Sequence, residues 1–340
     1  MAETDSGKTA EERIPFNYFK KIPKIELHAH INGSISSETI KKLIQRKSTK
    51  EKGQNNVVSQ WETTILKGDE KNLDECFKMW DFIYPLVDDT EAVFLVTKSV
   101  IEDFAQDNVR YLELRSTPRA NPKTGMTKES YIEAVLAAIE EAKTTVPDIT
   151  VRFIAAINRK YGPADALHTV QLASAIKAKG NGTLVGIDLS GDPKVPDIDE
   201  TRVLLSLIPD RIGHGTCIHP ENGGADDLVN IVEKHLIPIE LCLTSNVKTK
   251  TVPSYTEHHM DYWYNGKKHP CIVCTDDKGV FSITLSEEYS IMAKTFNLTE
   301  EEVWDLTLNS IDYIFENDSV KNTLKETWKA EKQKIMSVNK

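Results

Sequence analysis

The feature that most constrains the fold is a repeated alternation of short apolar runs with longer amphipathic stretches. Strands separated by helices pair in parallel, so this pattern predicts an α/β chain. Seven runs have the length and composition of buried strands: Lys24–His28, Arg110–Ser116, Val151–Ile157, Leu184–Ser190, Arg211–His214, Ile237–Thr244 and Cys271–Thr275. Stretches with helical spacing are Tyr131–Ala142, Asp165–Ala178, Leu228–Lys234 and Glu301–Ile314.

The even spacing of these units predicts a TIM-type (β/α) barrel. No Gly-rich dinucleotide fingerprint follows the first strand, which weakens the alternative of a doubly wound sheet. A closed barrel of the common kind has eight strands, one more than the seven found here. An eighth could lie between Ile31 and Val109, and composition alone leaves that open. The barrel is predicted over residues 21–340, after a polar extension at 1–20, with a solvated helical tail after Ser319.

Composition excludes several classes of partner. The 340 residues carry a net charge of −10 with a pI near 5.5, which argues against a nucleic-acid polymer or an anionic membrane surface as the partner. No apolar run approaches the length of a membrane span, and the polar N-terminus has no signal-peptide pattern. We therefore expect a cytoplasmic protein, and the composition leaves room for a small anionic ligand.

The five cysteines agree with a reducing compartment. They are odd in number, scattered and mostly flanked by apolar residues, as reduced core thiols are. Cys271 and Cys274 have the spacing of a redox or zinc pair, but no second pair exists. Because both lie in an apolar strand-like run, we expect them to pack in the core.

The first strand ends in a candidate metal-binding pair, His28 and His30. Alternate residues of a strand share a face, so both imidazoles are expected to point into the barrel. Two imidazoles side by side at a strand end suit zinc. The alternative is a pair of polar loop residues, and the apolar strand before them favours the metal.

Two further strand ends carry unusual polar groups. His214 stands between Gly213 and Gly215, which let a ligand approach the backbone closely, although a lone histidine is often structural. Asp276 and Asp277 directly follow an apolar strand, where adjacent carboxylates need a cation or hydrogen-bond donors unless the turn is solvated. Because barrel active sites form at carboxyl strand ends, the three clusters together predict a metal-dependent hydrolase.

Two weaker clusters lie on the same predicted rim. Ser116, Thr117, Pro118 and Arg119 follow the second strand and offer hydroxyls and a guanidinium suited to phosphate. Ser190-Gly191-Asp192 follows the fourth strand, where a backbone N–H could meet a ring nitrogen. Either segment could equally be an ordinary polar turn with no role in binding.

Together these residues resemble the adenosine deaminase family of amidohydrolase barrels, from about Ile22 to Trp328. The landmarks occur in the family's order: Glu-Leu-His28-Ala-His30, Asp188-Leu-Ser-Gly191-Asp192, Arg211-Ile-Gly-His214-Gly and Thr-Asp276-Asp277. Asn32, Ser116–Arg119, Leu241–Asn246 and Asp277-Lys278 look closer to the branch of the family that acts on N6-methyl-AMP than to adenosine deaminase itself.

The resemblance implies roles for these residues. His28, His30 and Asp276 would bind one zinc ion per chain, while His214 and Asp277 would be catalytic and hold the water that attacks carbon 6 of the purine. The product would be IMP, with ammonia or methylamine released. The positions implied to contact the nucleotide are His30, Asn32, Tyr84, Ser116, Thr117, Pro118, Arg119, Asn158, Gly191 and Asp277. Tyr84 and Asn158 depart from the family's usual histidine and aspartate.

One departure from the family is large. The resemblance implies a fifth strand ending in His-x-x-Glu, whose histidine binds zinc and whose glutamate protonates nitrogen 1 of the ring. Residues 193–210 contain no histidine and run straight into a helix-like stretch. One βα unit is therefore expected to be absent, which accounts for the count of seven and predicts a barrel that is open or distorted between its fourth and sixth strand positions.

The absent unit leaves more than one function open. The first hypothesis is a zinc-dependent purine nucleotide deaminase, predicted to be a monomer, whose activity is impaired because the general acid is lost. The second is a catalytically dead nucleotide-binding or regulatory form of the same fold. A hydrolase of another substrate is the third. His219 could replace the missing ligand, although nothing in its spacing requires it.

Overall fold

The computed structural model describes residues 14–50, 73–191 and 198–338, and within these ranges strands alternate with helices. The strands are β1 Lys24–His30, β2 Val109–Ser116, β3 Thr150–Asn158, β4 Leu184–Ser190, β5 Ile212–Gly213, β6 Ile239–Leu241 and β7 Cys271–Val273. The helices are α1 Phe16–Lys21, α2 Ser37–Lys50, α3 Leu73–Leu86, α4 Thr90–Gln106, α5 Lys128–Thr145, α6 Gly162–Ala178, α7 Ile198–Ser206, α8 Asp226–His235, α9 Leu243–Lys248, α10 Lys278–Phe281, α11 Leu285–Thr295, α12 Glu300–Asn309 and α13 Asp318–Val338.

The strands follow one another around a barrel in chain order. β1 to β4 form one parallel sheet and β5 to β7 a second. A parallel bridge between Ala29 and Asp276 joins the end of β7 to β1, so the two sheets continue into each other. The α/β barrel predicted from the sequence is therefore the observed architecture.

The barrel is open on one side within the described residues. No strand pairing there joins β4 to β5. The side chains of β4 next to this opening are poorly covered, with Ile187 53% and Leu189 38% exposed. Val203 on α7 and Leu207 directly after it are exposed as well. Several neighbouring apolar side chains are rarely left exposed, so they mark the surface that another βα unit would cover. The opening therefore has the features expected where one βα unit is missing.

The predicted strands agree with the observed ones in number and place, but all except β4 differ in extent. β1 extends to His30, two residues beyond the predicted end. β2 begins one residue earlier than predicted, and β3 is one residue longer at each end. The strands β5, β6 and β7 are shorter than predicted: His214, directly after β5, has a positive φ of 60°, and the chain enters α9 at Leu243 soon after β6. A left-handed residue ends strand geometry, and apolar composition gives no sign of it. The residues between Ile31 and Val109 that the structure describes form helices joined by turns, with no strand among them.

The core extends into both ends of the described chain. Phe19 on α1 is fully buried, so packing begins before residue 21. α13, predicted to be solvated, buries Trp328 completely, and the Trp328 indole donates to Thr307 Oγ1 at 3.0 Å. The tail is thus a docked helix with one exposed face. Cys271 and Cys274 are buried, as predicted. No helix within the described ranges is long and apolar enough to cross a membrane.

Candidate metal and catalytic site

Three side chains meet at the carboxyl end of the barrel. His28 Nε2 and His30 Nε2 lie 3.5 Å and 3.3 Å from Asp276 Oδ1. One ligand atom from each of the three lies within 4.8 Å of the others, and the group is largely buried. Two imidazoles and a carboxylate are a donor set that zinc accepts, with room for a water in a catalytic site. The predicted metal ligands are therefore brought together.

The backbone explains why these side chains converge. Asp276 N–H donates to His28 O at 2.8 Å and His30 N–H donates to Asp276 O at 3.0 Å, which clips the aspartate between the two histidines. The pairing of β1 with β2 shifts between Glu26 and Ala29, a bulge-like irregularity next to the site. The left-handed backbone of Asp276 turns its carboxylate toward the imidazoles. Strain of this kind is typical of functional sites.

A buried network of charged side chains contacts His28 Nδ1, the ring nitrogen that does not face Asp276. His28 Nδ1 lies 2.7 Å from Glu240 Oε2, which also accepts from Arg115 Nη2 at 2.9 Å. Arg211 Nε donates to Glu240 Oε1 at 2.6 Å. A carboxylate on the second nitrogen of a metal-ligating histidine fixes the orientation and tautomer of the ring. Burial and Arg115 oppose protonation of His28, but hydrogen bonds to Asp276 and Glu240 raise its pKa to about 9.

Asp276 and Asp277 have opposite electrostatic environments. Burial opposes the ionisation of Asp276, but hydrogen bonds to His28 and His30 hold its pKa well below the usual range. Ser245 Oγ also donates to Asp276 Oδ2 at 2.7 Å. Burial and the neighbouring Asp276 raise the pKa of Asp277 well above its usual range. The pair thus provides an ionised carboxylate and a more basic one side by side.

Asp277 fits only because residue 33 is glycine. A Cβ on Gly33 would lie 1.6 Å from Asp277 Oδ1. Asp277 Oδ1 is buried and has no hydrogen-bond partner within the described structure. A buried carboxylate oxygen left unpaired is costly, so it points to a ligand or water at this position.

A chain of hydrogen bonds orients His214. Met260 N–H donates to His258 Nδ1 at 3.1 Å, which leaves the proton of His258 on Nε2, 3.1 Å from Asn246 Oδ1. The amide nitrogen of Asn246 then faces His214 Nδ1 at 3.2 Å, and an amide N–H can only donate. His214 therefore carries its proton on Nε2, which lies 3.7 Å from Asp276 Oδ2. Burial lowers the pKa of His214 to about 4, so its ring is neutral at pH 7.

A polar pocket adjoins the metal ligands. Asn32 Nδ2 lies 3.3 Å from both Ser116 Oγ and Tyr131 OH, and the two hydroxyls are 2.6 Å apart. Asn32 Oδ1 is buried without a partner in the described structure. These groups offer hydrogen bonds toward one face of the site.

Arg119 and Tyr84 lie on the same side of the site as this pocket. The guanidinium carbon of Arg119 lies 4.6 Å from the Tyr84 ring centre and 5.5 Å from that of Tyr131. Arg119 Nη2 also donates to Val87 O at 2.6 Å. Burial raises the pKa of Tyr84 to about 12, so its hydroxyl stays protonated. Arg119 is thus a fixed cation beside the pocket.

The remaining predicted positions lie on the rim or away from it. Thr117 and Pro118 form the loop after β2. Asn158 ends β3 and its side chain accepts from Lys160 N–H at 3.1 Å, so it caps a 3-10 turn. Gly191 is exposed at the end of β4, where a Cβ would lie 2.6 Å from Arg159 Cγ. His219 packs against Tyr262 and belongs to no ligand group found among the described residues.

Sequence reasoning missed the residues that support the site. Glu240, Arg115, Arg211, Ser245 and Tyr131 received no role from their spacing. Glu240 carried a usable signal, because an ionisable residue inside an apolar strand needs a buried partner. Tyr131 lies on a helix face that looks like ordinary core, so nothing in the sequence marks it.

Comparisons with known proteins agree with this geometry. The adenosine deaminase family model matches residues 23–202 and 200–330. The N6-methyl-AMP deaminase of Danio rerio is 48% identical over 347 residues, covering 94% of this chain and 98% of that protein. That of Homo sapiens is 45% identical over 359 residues, covering 97% and 99%. A crystal structure of Arabidopsis ADAL complexed with IMP superposes with a TM-score of 0.81 at 33% identity, covering 92% and 98%.

The chain belongs to the adenosine deaminase family, whose members are metal-dependent hydrolytic deaminases. The resemblance and the barrel fold predicted from the sequence are confirmed.

The comparisons also locate an interruption. The two matched pieces meet at residues 200–202, inside the stretch where the absent βα unit was predicted. The alignment with the Danio rerio protein spans 347 positions while covering only 94% of these 340 residues, so that protein has residues this chain lacks. The interruption falls between β4 and β5, where the described barrel is open.

Proposed function

We propose that this chain binds one zinc ion and a purine nucleoside monophosphate, and that it converts N6-methyl-AMP to IMP and methylamine at a reduced rate. The observation that carries the proposal is the convergence of His28, His30 and Asp276 beside Asp277. The substrate rests on relatives named N6-methyl-AMP deaminase and on a structural neighbour solved with IMP.

The donor set supports zinc. The ligand atoms of His28, His30 and Asp276 lie within 4.8 Å of one another, and the Glu240 carboxylate fixes the orientation of His28 through its Nδ1. When bound, zinc would act as a Lewis acid and lower the pKa of a water toward about 7.

Two side chains would act on the attacking water. Asp277, with its raised pKa and unpaired oxygen, would accept a proton from the water as its oxygen adds to carbon 6 of the purine. The neutral His214 would orient that water through the N–H on Nε2. The carbon–nitrogen bond would then break, and the proton that Asp277 accepted from the water would pass to the leaving nitrogen, so that neutral methylamine departs.

The step this chain lacks is protonation of nitrogen 1. In the family resemblance that proton comes from the glutamate of His-x-x-Glu, and residues 193–210 contain no such motif. Loss of a positioned general acid costs about a hundred- to ten-thousandfold in rate. The open side of the barrel adds to this cost, because misplaced groups lose rate steeply.

The nucleotide would lie against the polar pocket. Asn32, Ser116 and Tyr84 would contact the base and sugar, and Arg119 would bind the phosphate. We further propose that Thr117, Pro118, Asn158 and Gly191 line the rim, that the barrel is one domain with a docked C-terminal helix, and that the protein is a cytoplasmic monomer without nucleic-acid or membrane partners.

A second candidate is a catalytically dead form that keeps the nucleotide pocket. The break between β4 and β5 favours it, because the missing unit carries catalytic groups and leaves the pocket side of β1 and β2 intact. Turnover separates the two candidates, and nucleotide binding is common to both.

The pocket is tested by comparing IMP with inosine in calorimetry of Arg119→Ala. A charge-assisted phosphate contact contributes about 1.5–3 kcal/mol, so Kd for IMP should rise about ten- to hundredfold while Kd for inosine stays within twofold. Arg110→Ala is the matched control, because Arg110 pairs with the exposed Asp148 outside the site. Equal weakening of both ligands by Arg119→Ala would remove the phosphate role.

A further inference from the structure

His214 has a strained backbone directly after β5. Its φ angle is 60°, in the left-handed region that a residue with a Cβ rarely adopts. Gly215 N–H donates to Gly213 O at 2.7 Å, so His214 is the central residue of a three-residue turn. A turn of this kind with a positive φ at its centre is rare and strained, and it persists only where surrounding contacts hold it.

His259 supplies one of those contacts. Its Nε2 lies 2.7 Å from His214 O, and because a carbonyl oxygen can only accept, the proton of the His259 ring is on Nε2. Burial lowers the pKa of His259 to about 4, which keeps this ring neutral at pH 7. His214 N–H donates to Glu240 O at 2.9 Å. The peptide groups on both sides of the His214 Cα are therefore fixed, one by Glu240 and the other by His259.

The imidazole of His259 is held rigidly. It is 8% exposed and stacks on His258, with ring centres 4.1 Å apart and ring planes 24° apart. Trp263, whose side chain is fully buried, donates from its N–H to His259 O at 3.1 Å. His259 Nδ1 has no hydrogen-bond partner in the described structure. The bond from Nε2 to His214 O is thus the ring's only hydrogen bond among the described residues.

The consecutive histidines His258 and His259 reach His214 at two different atoms. His259 binds the backbone oxygen, while His258 acts on ring Nδ1 through Asn246. The first contact fixes where the side chain leaves the backbone, and the second fixes the rotation of the ring. Together they direct His214 Nε2 toward Asp276 Oδ2, 3.7 Å away.

We propose that His259 is a positioning residue for the reaction, and that His258 and His259 hold His214 as a two-point clamp. The inference rests on the proposed role of His214, which orients the attacking water, and adds the residue that fixes its backbone.

Substitutions at residue 259 separate this role from simple packing. Gln places its amide nitrogen near the position of histidine Nε2, Asn places it near that of Nδ1, and Leu has no donor. His259→Gln should therefore retain the contact with His214 O, and His259→Asn and His259→Leu should lose it. His269→Leu is the matched control, because His269 is also buried and its Nε2 also lies 2.7 Å from a backbone oxygen, that of Ile237.

The first readout is turnover of N6-methyl-AMP by the zinc-loaded, full-length protein. His259→Leu and His259→Asn should lower kcat about ten- to hundredfold with KM within about twofold, because a misdirected His214 no longer orients the water. His259→Gln and His269→Leu should keep kcat within about threefold of the wild-type value. A wild-type kcat in His259→Leu would overturn the inference. If that variant does not fold, equal kcat values in His259→Gln and His259→Asn would overturn it instead.

The second readout does not depend on turnover. In protein labelled with ¹⁵N-histidine, the ring resonances of His214 are assigned by their loss in His214→Gln, and they report which nitrogen carries the proton. They should indicate a proton on Nε2 in the wild-type protein and in His259→Gln, and move toward values averaged over both tautomers in His259→Leu and His259→Asn. Unchanged His214 resonances in all three variants would overturn the inference. A wild-type protein that binds zinc without turnover would instead overturn the proposed deaminase activity, and the resonances would still decide whether the clamp exists.

Discussion

Asp277 is held in place by the absence of a side chain at residue 33. The carboxylate occupies the space that a Cβ on Gly33 would fill, and both lie where β7 joins β1. Its raised pKa depends on the same confinement, because burial and the nearby Asp276 both favour the protonated form. The tight packing that positions the Asp277 carboxylate therefore also raises its pKa.

Gly33→Ala should destabilise the protein by about 1–3 kcal/mol, the usual cost of overpacking a tight site. Urea denaturation measures the change. Gly182→Ala is the matched control, because its added Cβ meets no atom within 4 Å, and it should be neutral or slightly stabilising. A Gly33→Ala variant as stable as Gly182→Ala would show that Asp277 is not confined as described.

The candidate metal ligands were the most predictable residues of the site. His28 and His30 share a strand face, and Asp276 directly follows a buried strand, so local pattern indicated each of them. The supporting residues were less predictable, because Tyr131 reaches Asn32 from a helix 99 positions along the chain. Contacts of that sequence separation are set by the parallel pairing of β1 with β2, which no local pattern encodes.

At the scale of elements, α9 and α11 are joined by a buried carboxylate. Glu288 on α11 accepts from Thr244 N–H on α9 at 3.1 Å and is fully buried. Burial raises its pKa to about 8, although the bonds to Thr244 oppose the shift. The folded state therefore binds a proton that the unfolded chain releases near pH 4.5.

From about pH 5 to 8, Glu288 makes stability fall as pH rises, because it keeps a proton in the folded state that the unfolded chain has released. Its contribution reaches about 1.4 kcal/mol per pH unit. The lowered pKa values of His214, His258 and His259 act in the opposite direction below about pH 6.5, so the Glu288 contribution is the difference between the wild-type protein and Glu288→Gln. Glu288→Gln should lose less stability than the wild-type protein, or gain more, as pH rises through this window, as measured by urea denaturation of metal-free protein at several pH values. Glu26, which also has a raised pKa, keeps part of the slope. The exposed Glu326→Gln should leave the slope unchanged, and an unchanged slope in Glu288→Gln would refute the assignment.

Element types were predictable and element ends were not. The apolar runs indicated all seven strands, and helical spacing indicated four of the helices, α5, α6, α8 and α12. The end of β5 coincides with a left-handed residue, His214, which apolar composition does not reveal. The role of α13 was underestimated, since Trp328 buries a large ring among mostly charged neighbours.

At the scale of the whole molecule, the main feature of the described residues is the opening between β4 and β5. The sequence indicated it through a strand count of seven and through the missing motif, and the interrupted family match agrees. Its physical consequence is an uncovered side of β4, where apolar side chains lie in contact with solvent. Edges of this kind lower stability and invite association.

Ile187→Thr should cost less than about 0.5 kcal/mol, because the side chain is already half exposed. The control is Ile154→Thr on the adjacent β3, where the residue is 2% exposed and the change should cost about 1–3 kcal/mol. Urea denaturation of both variants measures the two changes in the free energy of unfolding. Similar costs for the two would mean that β4 is covered and that the barrel is not open there.

The central claim is that the remaining ligands hold a metal-dependent deaminase site that lacks its general acid. Turnover of N6-methyl-AMP by the zinc-loaded protein, measured beside the Danio rerio relative, tests it most directly. The account predicts IMP formation about a hundred- to ten-thousandfold slower than in the relative. A rate equal to that of the relative would contradict the account.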